Sequence, residues 1–490
     1  MLFNSFEFIY LFLPVTWLGY YLIGRHSRLG AAAWVGIASI FFYGWWDTSA
    51  LPVLGASIVF NYVCGLALSK VASQQSKPDL ATSKLLVSAV ATNLVYLGFY
   101  KYANFFVGSA LGLMPDAGHV SNPFADVMLP IGISFFTFTQ IAFLVDCKRG
   151  LVREQNFIHY VLFVTFFPHL IAGPVLHHAQ MMPQFANAQS YKLNQNHLVW
   201  GVIVFTIGLG KKLLIADAVA PYADALFNSA ALGFQPTFND AWTGVLAYTT
   251  QIYFDFSGYS DMAVGLGLLF NIRLPVNFNY PYAAQNIIDF WRRWHISLST
   301  FLRDYLYIAL GGNRHGKSRR YINLMLTMLL GGLWHGANWT FIIWGGLHGL
   351  ALVINHGWQK MRPAGWEHAR IYTLLCWLLT FVFVCFTWVV FRADTMTAAM
   401  AVYKGMLGLN GMDLTLKLPG WKREYNLFLS LALVLYLLNI KTLRQWVYSE
   451  KAELAQRSAL PVALVLFAAG IFILAIEQIG QASVFLYFQF

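Results

Sequence analysis

Apolar runs of membrane-spanning length recur along this 490-residue chain, and no other feature constrains its fold as strongly. A helix needs roughly 20 apolar residues to cross a bilayer, and only helices and closed barrels satisfy every backbone group inside one. Such runs fall at residues 6–23, 29–46, 51–68, 85–113, 127–145, 157–175, 198–218 and 241–270, then at 324–352, 371–391, 427–440 and 460–476. Hydrophobic residues make up 58% and charged residues 11%, and the mean hydropathy is +0.56. That balance excludes an ordinary soluble domain. The expected fold is all-α: a polytopic integral membrane protein with about 10 to 13 transmembrane helices. A thin central region with re-entrant or interfacial helices is expected inside it. No linker or internal repeat interrupts the chain, so residues 1–490 read as one transmembrane domain. The run 6–23 lacks a basic leader and a small-residue cleavage site, and reads as a retained first span.

A net charge of +11 raises nucleic acid as a partner, but the Lys and Arg residues sit in short loops between apolar runs. That is the positive-inside pattern of a membrane protein. Arg25 and Arg28, then Lys70, Lys77 and Lys84, then Lys148, Arg149 and Arg153 are separated by even numbers of crossings. Between them, residues 114–126 hold two acids, Asp116 and Asp126, and no Lys or Arg. The N-terminus is therefore expected outside and the basic loops in the cytoplasm. The loop 314–320 should be cytoplasmic by charge, whereas a plain count of runs puts it outside. One crossing between Leu198 and Arg314 is then miscounted. Cys64, Cys147, Cys376 and Cys385 show no metal-ligand spacing, and neither a disulfide framework nor a metal site is expected.

Polar residues inside such runs are costly and mark function by default. The segment QIYFDFSGYSDMAVGLG places Gln251, Asp255, Ser257, Tyr259 and Asp261 within about three turns, with Tyr259 able to share a face with Asp255. Arg292 and Arg293 are the expected partners of the two carboxylates, and a structural ion pair is the favoured reading for both. Pro168, His169, Gly173 and Pro174 break the sixth run into irregular backbone. On a helical wheel, residues 289–307 form a basic amphipathic helix, with Phe290, Trp291, Trp294, Leu298 and Phe301 on one side and Arg292, Arg293, Arg303 and Asp304 on the other. Such a helix suits a membrane interface or the lining of a wet cavity rather than a lipid-spanning pose, with His295 at the edge of its apolar stripe.

The run 324–352 is interrupted by Trp334, His335 and Asn338, with Asn338 one turn from His335 on the same face. Gly331, Gly332, Gly336, Gly345 and Gly346 permit close backbone approach there. Spacing alone favours a core histidine bonded to a carbonyl for His335 over a catalytic one, and His348 lies roughly 140° around a continuous helix from it, facing elsewhere.

Taken together, LPIGISFFTFTQIAFLVD (129–146), PHLIAGPV (168–175), YFDFSGYSDMAVGLG (253–267), FNYPYAAQNIIDFWRRWHISLS (278–299), LGGLWHGANW (330–339) and VVFRAD (389–394) resemble the bacterial branch of the membrane-bound O-acyltransferase family. The N-terminal segment and the chain beyond Phe391 resemble the alginate O-acetyltransferase branch more than the shorter teichoic acid D-alanyl transferases. The resemblance implies that His335 of the WHG motif is catalytic and His295 of the RWHxSLS motif is the second important residue. His335 would be a general base or a transient acyl acceptor, with His295 and Asn338 orienting groups or stabilising charge. Trp334, Asp255, Tyr259, Asp261, Arg292 and Arg293 would support a substrate tunnel. No bound cofactor is implied; the donor would be cytoplasmic acetyl-CoA. A periplasmic serine-esterase-like (SGNH) protein would take the acetyl group to a polysaccharide hydroxyl. Acetylation of cellulose or peptidoglycan, D-alanyl transfer to teichoic acid, and a transporter or flippase without chemistry are the alternatives. The last predicts inverted repeats, which the sequence does not show.

Overall fold

In the computed structural model every regular element is a helix among the described residues, which are 1–74, 80–113, 121–171, 173–363, 365–413, 460–481 and 485–486. The run 427–440 lies outside them. The chain packs into two compact units, one formed by Met1–Val202 and Ala263–Pro275, the other by Ile203–Met262 and Val276–Phe490.

In the first unit the leading helices are α1 (Phe8–Gly24), α2 (Arg28–Gly44), α3 (Ala50–Gln74) and α4 (Leu80–Gly112). They are followed by α5 (Ile133–Lys148), α6 (Phe157–Thr165) and α7 (His178–Ala186). Ser27 starts α2 by accepting from the Gly30 N–H, as a cap should. The core is aromatic at one place, where Phe3, Phe8, Phe12, Phe42 and Phe167 meet at centroid distances of 5.0–6.5 Å. Elsewhere polar side chains pair between helices inside it. Asn61 and Asn93 exchange amide hydrogen bonds at 3.0 and 2.7 Å, and Tyr160 donates to Gln140, which donates to Ser57. Buried amides satisfied by each other tie helices together in an apolar setting. The sixth run breaks as expected: α6 ends at Thr165, Phe166 takes ψ 109°, and a single turn Phe167–Leu170 follows with Pro168 in its first positions.

By length and composition four helices suffice to cross a membrane, namely Ala50–Val71, Leu80–Gly112, α8 (Gln195–Ala231) and Arg370–Arg392, and three shorter apolar helices accompany them among the described residues. The second unit holds the larger part of α8 and of α9 (Phe238–Leu269), then α10 (Ile287–Arg293), α11 (Ile296–Phe301), α12 (Gly316–His335), α13 (Trp339–Met361), α14 (Arg370–Arg392), α15 (Met396–Met406) and α16 (Leu460–Gln478).

Two close crossings organise this unit. A Cβ on Gly208 would strike the Gly258 carbonyl and one on Gly258 the Gly208 carbonyl, so α8 and α9 touch backbone to backbone. Likewise a Cβ on Gly332 would strike the Phe341 carbonyl and one on Gly345 the Met328 carbonyl. The glycines of the 324–352 run therefore serve a tight hairpin of α12 against α13.

The amphipathic helix expected over 289–307 is not continuous. It ends at Arg293, His295 adopts a left-handed conformation (φ 43°, ψ 55°), α11 restarts at Ile296, and a π-helical turn covers Leu302–Tyr307. The cause is Asn277. Its carbonyl accepts the Ile296 N–H at 2.9 Å and its side-chain oxygen accepts the Ser297 N–H at 3.1 Å. A cap supplied from 20 residues upstream restarts the helix and fixes the bend.

Candidate active site

His335 is the last residue of α12; the next residue, Gly336, is extended and ends the helix. The imidazole is packed on three sides by Trp334, Trp344 and Phe391, at ring-centroid distances of 5.1, 5.1 and 5.2 Å and close to edge-on. It faces a narrow cavity walled by Ile252, Phe256, Trp294, Trp344, Trp388, Phe391 and Leu486 together with His335 and Asp255. The wall is aromatic almost throughout, with one imidazole and one carboxylate facing in. In so apolar a space electrostatic interactions are much stronger than in water.

The carboxylate of Asp255 is already engaged. One oxygen accepts from Lys212 Nζ at 2.7 Å and the other from the Leu486 N–H at 3.1 Å. Lys212 also donates to Asp217 at 2.8 Å and lies 4.7 Å over the Phe485 ring. Lys211, the next residue, pairs with Asp261 at 2.5 Å. Asp255 and Asp261 are six residues apart on α9, roughly 120° around its axis, so two consecutive lysines on α8 match them. A π-helical turn at Lys211–Ala216, just beyond the Gly208 crossing, sets that offset. Arg292 and Arg293, the partners expected from sequence, take no part. Arg293 pairs with Asp289 at 2.8 Å, and Arg292 is exposed. Two buried carboxylates require cations, and the α8–α9 crossing brings the lysines to them.

His295 is fully buried but is not on the cavity wall. It packs edge-on against Phe256, which is on the wall, at 4.7 Å, and 6.2 Å from Trp334. Trp334 thus touches both histidines. The tautomer of His295 follows from its neighbour. Ser297 N–H can only donate, so the Asn277 atom it meets is the amide oxygen, and His295 Nδ1, 3.1 Å from that oxygen, must carry the proton. Nε2 is left as the basic nitrogen. His295 stands in the break between two short helices, and burial pushes its pKa down to about 3, so the ring is neutral.

Asn338 is placed differently from the sequence expectation. The helix that carries His335 ends before it, and Asn338 starts α13, accepting the Thr340 N–H at 3.0 Å and donating to the Asp394 carbonyl at 3.1 Å. It is a helix cap and does not line the cavity. Tyr259 and Asp261 are also off the wall; Tyr259 packs on Phe485 at 4.8 Å. His348 is not on the cavity wall; the helix breaks between His335 and Trp339, so the 140° of a continuous wheel does not relate the two histidines. It accepts from Trp291 Nε1 at 3.3 Å, so its Nε2 donates to Thr387 Oγ1 at 3.1 Å. Sequence reading missed Lys211, Lys212, Asn277, Trp388 and Leu486. The two lysines carried the same signal as Asp255, a charge inside an apolar run; Leu486 carried none.

The model of the membrane-bound O-acyltransferase family matches residues 133–394, which take in His295, His335 and both lysine–carboxylate pairs. This chain belongs to that family. It is 43% identical to the peptidoglycan O-acetyltransferase of Helicobacter pylori, over 84% of this chain and 81% of the relative. It is 45% identical to the probable alginate O-acetylase of Pseudomonas aeruginosa, over 85% of this chain and 76% of the relative. Against the teichoic acid D-alanyltransferase of Bacillus subtilis identity falls to 31% over 53% of this chain. The protein is thus a membrane O-acyltransferase, and its likeness to the acetyltransferases extends well beyond the matched family region.

Proposed function

We propose that the chain takes an acetyl group from cytoplasmic acetyl-CoA and passes it across the membrane toward hydroxyls of a polysaccharide, with His335 as general base. The observation that carries this reading is the cavity: of its two ionisable groups, Asp255 is held by Lys212 and the Leu486 N–H, and His335 is the one suited to move a proton. His335 takes the proton of the acceptor hydroxyl as its oxygen attacks the acetyl carbonyl. Collapse of the tetrahedral adduct breaks the carbon–sulfur bond, and the CoA thiolate leaves with that proton. His295, neutral and Nδ1-protonated, orients Trp334 and Phe256 around the reacting groups.

The N-terminus lies outside and the basic loops face the cytoplasm, where Arg314, Lys317, Arg319 and Arg320 draw in the anionic donor. Residues 114–126 and 176–197 carry one Lys and no Arg between them, which gives little grip on an anionic polymer. A separate periplasmic protein of the serine-esterase type therefore completes the transfer. An alginate-like polymer is the first acceptor to test. Peptidoglycan is the second, since the relative acting on it is about as similar, at 43% identity. The test is reconstitution in vesicles with acetyl-CoA inside and polymer outside, with and without that partner. Acetylated polymer only when the partner is present supports the relay; efficient acetylation without it overturns the relay, and none under either condition overturns the donor or acceptor assignment.

A further inference from the structure

A second and larger cavity lies along the flank formed by α13 and α14, and the acetyl-transfer chemistry makes no use of it. Its sides are Leu347, Leu350, Ala351 and Ile354 of α13 and Leu379 and Phe383 of α14; Asn286 and Ile287, at the start of α10, form its floor with Gln285. The sides open outward, with Ile354 62% and Leu379 73% exposed. In a membrane protein such a surface meets lipid, not water.

The character of the groove changes along its length. Beyond Ile354 the lining becomes Asn355, Trp358, Gln359, Arg362 and Tyr372. These are joined among themselves: Gln359 donates to Asn355 at 3.3 Å, Trp358 Nε1 donates to Tyr372 Oη at 2.9 Å, and the Arg362 guanidinium lies 5.9 Å over the Tyr372 ring. Indole, phenol and guanidinium are the groups that collect at the headgroup level of a bilayer. Residues 360–370 contain Lys360, Arg362 and Arg370 against one acid, Glu367. From Leu347 to Arg362 at 1.5 Å per residue is about 22 Å, which matches half of a bilayer roughly 40–45 Å thick including headgroups. The groove is one leaflet deep, with mainly apolar sides and a cationic mouth.

We infer that this groove binds a phospholipid with an anionic headgroup, its acyl chains along Leu347–Ile354 and Leu379–Phe383 and its phosphate at Arg362. The inference is independent of the acetyl-transfer reading, because binding is measured without turnover. Purified, delipidated full-length protein is titrated with phosphatidylglycerol and with phosphatidylcholine, and bound lipid is counted by native mass spectrometry. The wild type should prefer phosphatidylglycerol about fivefold, the effect of one basic side chain at the headgroup. Arg362→Gln should remove that preference while leaving chain binding, and Ala351→Trp, which fills the groove, should lower binding of both lipids. A parallel titration with acetyl-CoA should leave the lipid in place. Equal affinity for the two lipids, an unchanged preference in Arg362→Gln, or displacement by acetyl-CoA would each overturn the assignment. Arg362→Gln alters a half-buried side chain at the end of a helix, so it remains decisive even if Ala351→Trp does not fold.

Discussion

Replacing Lys212 by Met tests the internal framework of the cavity. Its ammonium is buried, donates to Asp255 at 2.7 Å and to Asp217 at 2.8 Å, and leaves both carboxylates without that cation when removed. The Asp255 side chain is only 2% exposed, so water cannot take the place of the lysine. Breaking one side of a buried pair costs about 3–5 kcal/mol. With roughly 1.4 kcal/mol per factor of ten, that is at least a hundredfold shift in the folding equilibrium. Denaturant unfolding in mixed micelles reads it directly, on Lys212→Met, Asp255→Asn and the double variant. The double variant should recover part of the loss, with a coupling of about 1 kcal/mol or more for residues in direct contact. A Lys212→Met protein less than about 1 kcal/mol below wild type, with additive single effects, would show the pair to be solvated and this reasoning wrong.

Three further outcomes follow from the same geometry. Gly345→Leu should destabilise or misassemble the α12–α13 hairpin by at least about 1–3 kcal/mol, because the added carbons meet the Met328 carbonyl; an unchanged unfolding midpoint refutes the close crossing. His295 stays neutral in the fold down to about pH 3, while an unfolded chain's imidazole titrates near 6.5, so between those values the unfolded state binds more protons. Stability should therefore fall as pH drops through that window, and His295→Gln should flatten this part of the pH profile; an identical profile in the variant refutes the buried neutral ring. Asn277→Ala removes the oxygen shared by His295 Nδ1 and Ser297, and should lower turnover more than it lowers donor affinity. A pure KM effect would place Asn277 in donor binding instead.

The helices were legible in the sequence because burying apolar length in a bilayer leaves the backbone almost no other choice. So was the break at Pro168. His335, singled out as an ionisable group in an apolar run, lies on the cavity wall. The rest depended on partners far away in the chain. A helical wheel treats residues 289–307 as self-sufficient, but Asn277 ends that continuity and puts His295 in a left-handed bend. From sequence, Arg292 and Arg293 are the expected partners of Asp255 and Asp261. The lysines that hold them, Lys211 and Lys212, come from a helix about 45 residues earlier, through a glycine crossing that no periodicity reveals. Asn338 has the spacing of a helix-face neighbour of His335 and is instead a cap, because the helix stops between them.

The most direct measurement is acetyl transfer by His335→Ala. In vesicles loaded with labelled acetyl-CoA, wild type should release CoA and pass label to the acceptor, and the variant should lose about 10²–10⁴-fold in rate, the contribution of a positioned general base. Its unfolding midpoint should stay close to that of wild type, since His335 is held by ring packing at the end of α12 and belongs to neither ion pair. Label transfer at the wild-type rate in a folded His335→Ala protein would contradict the account.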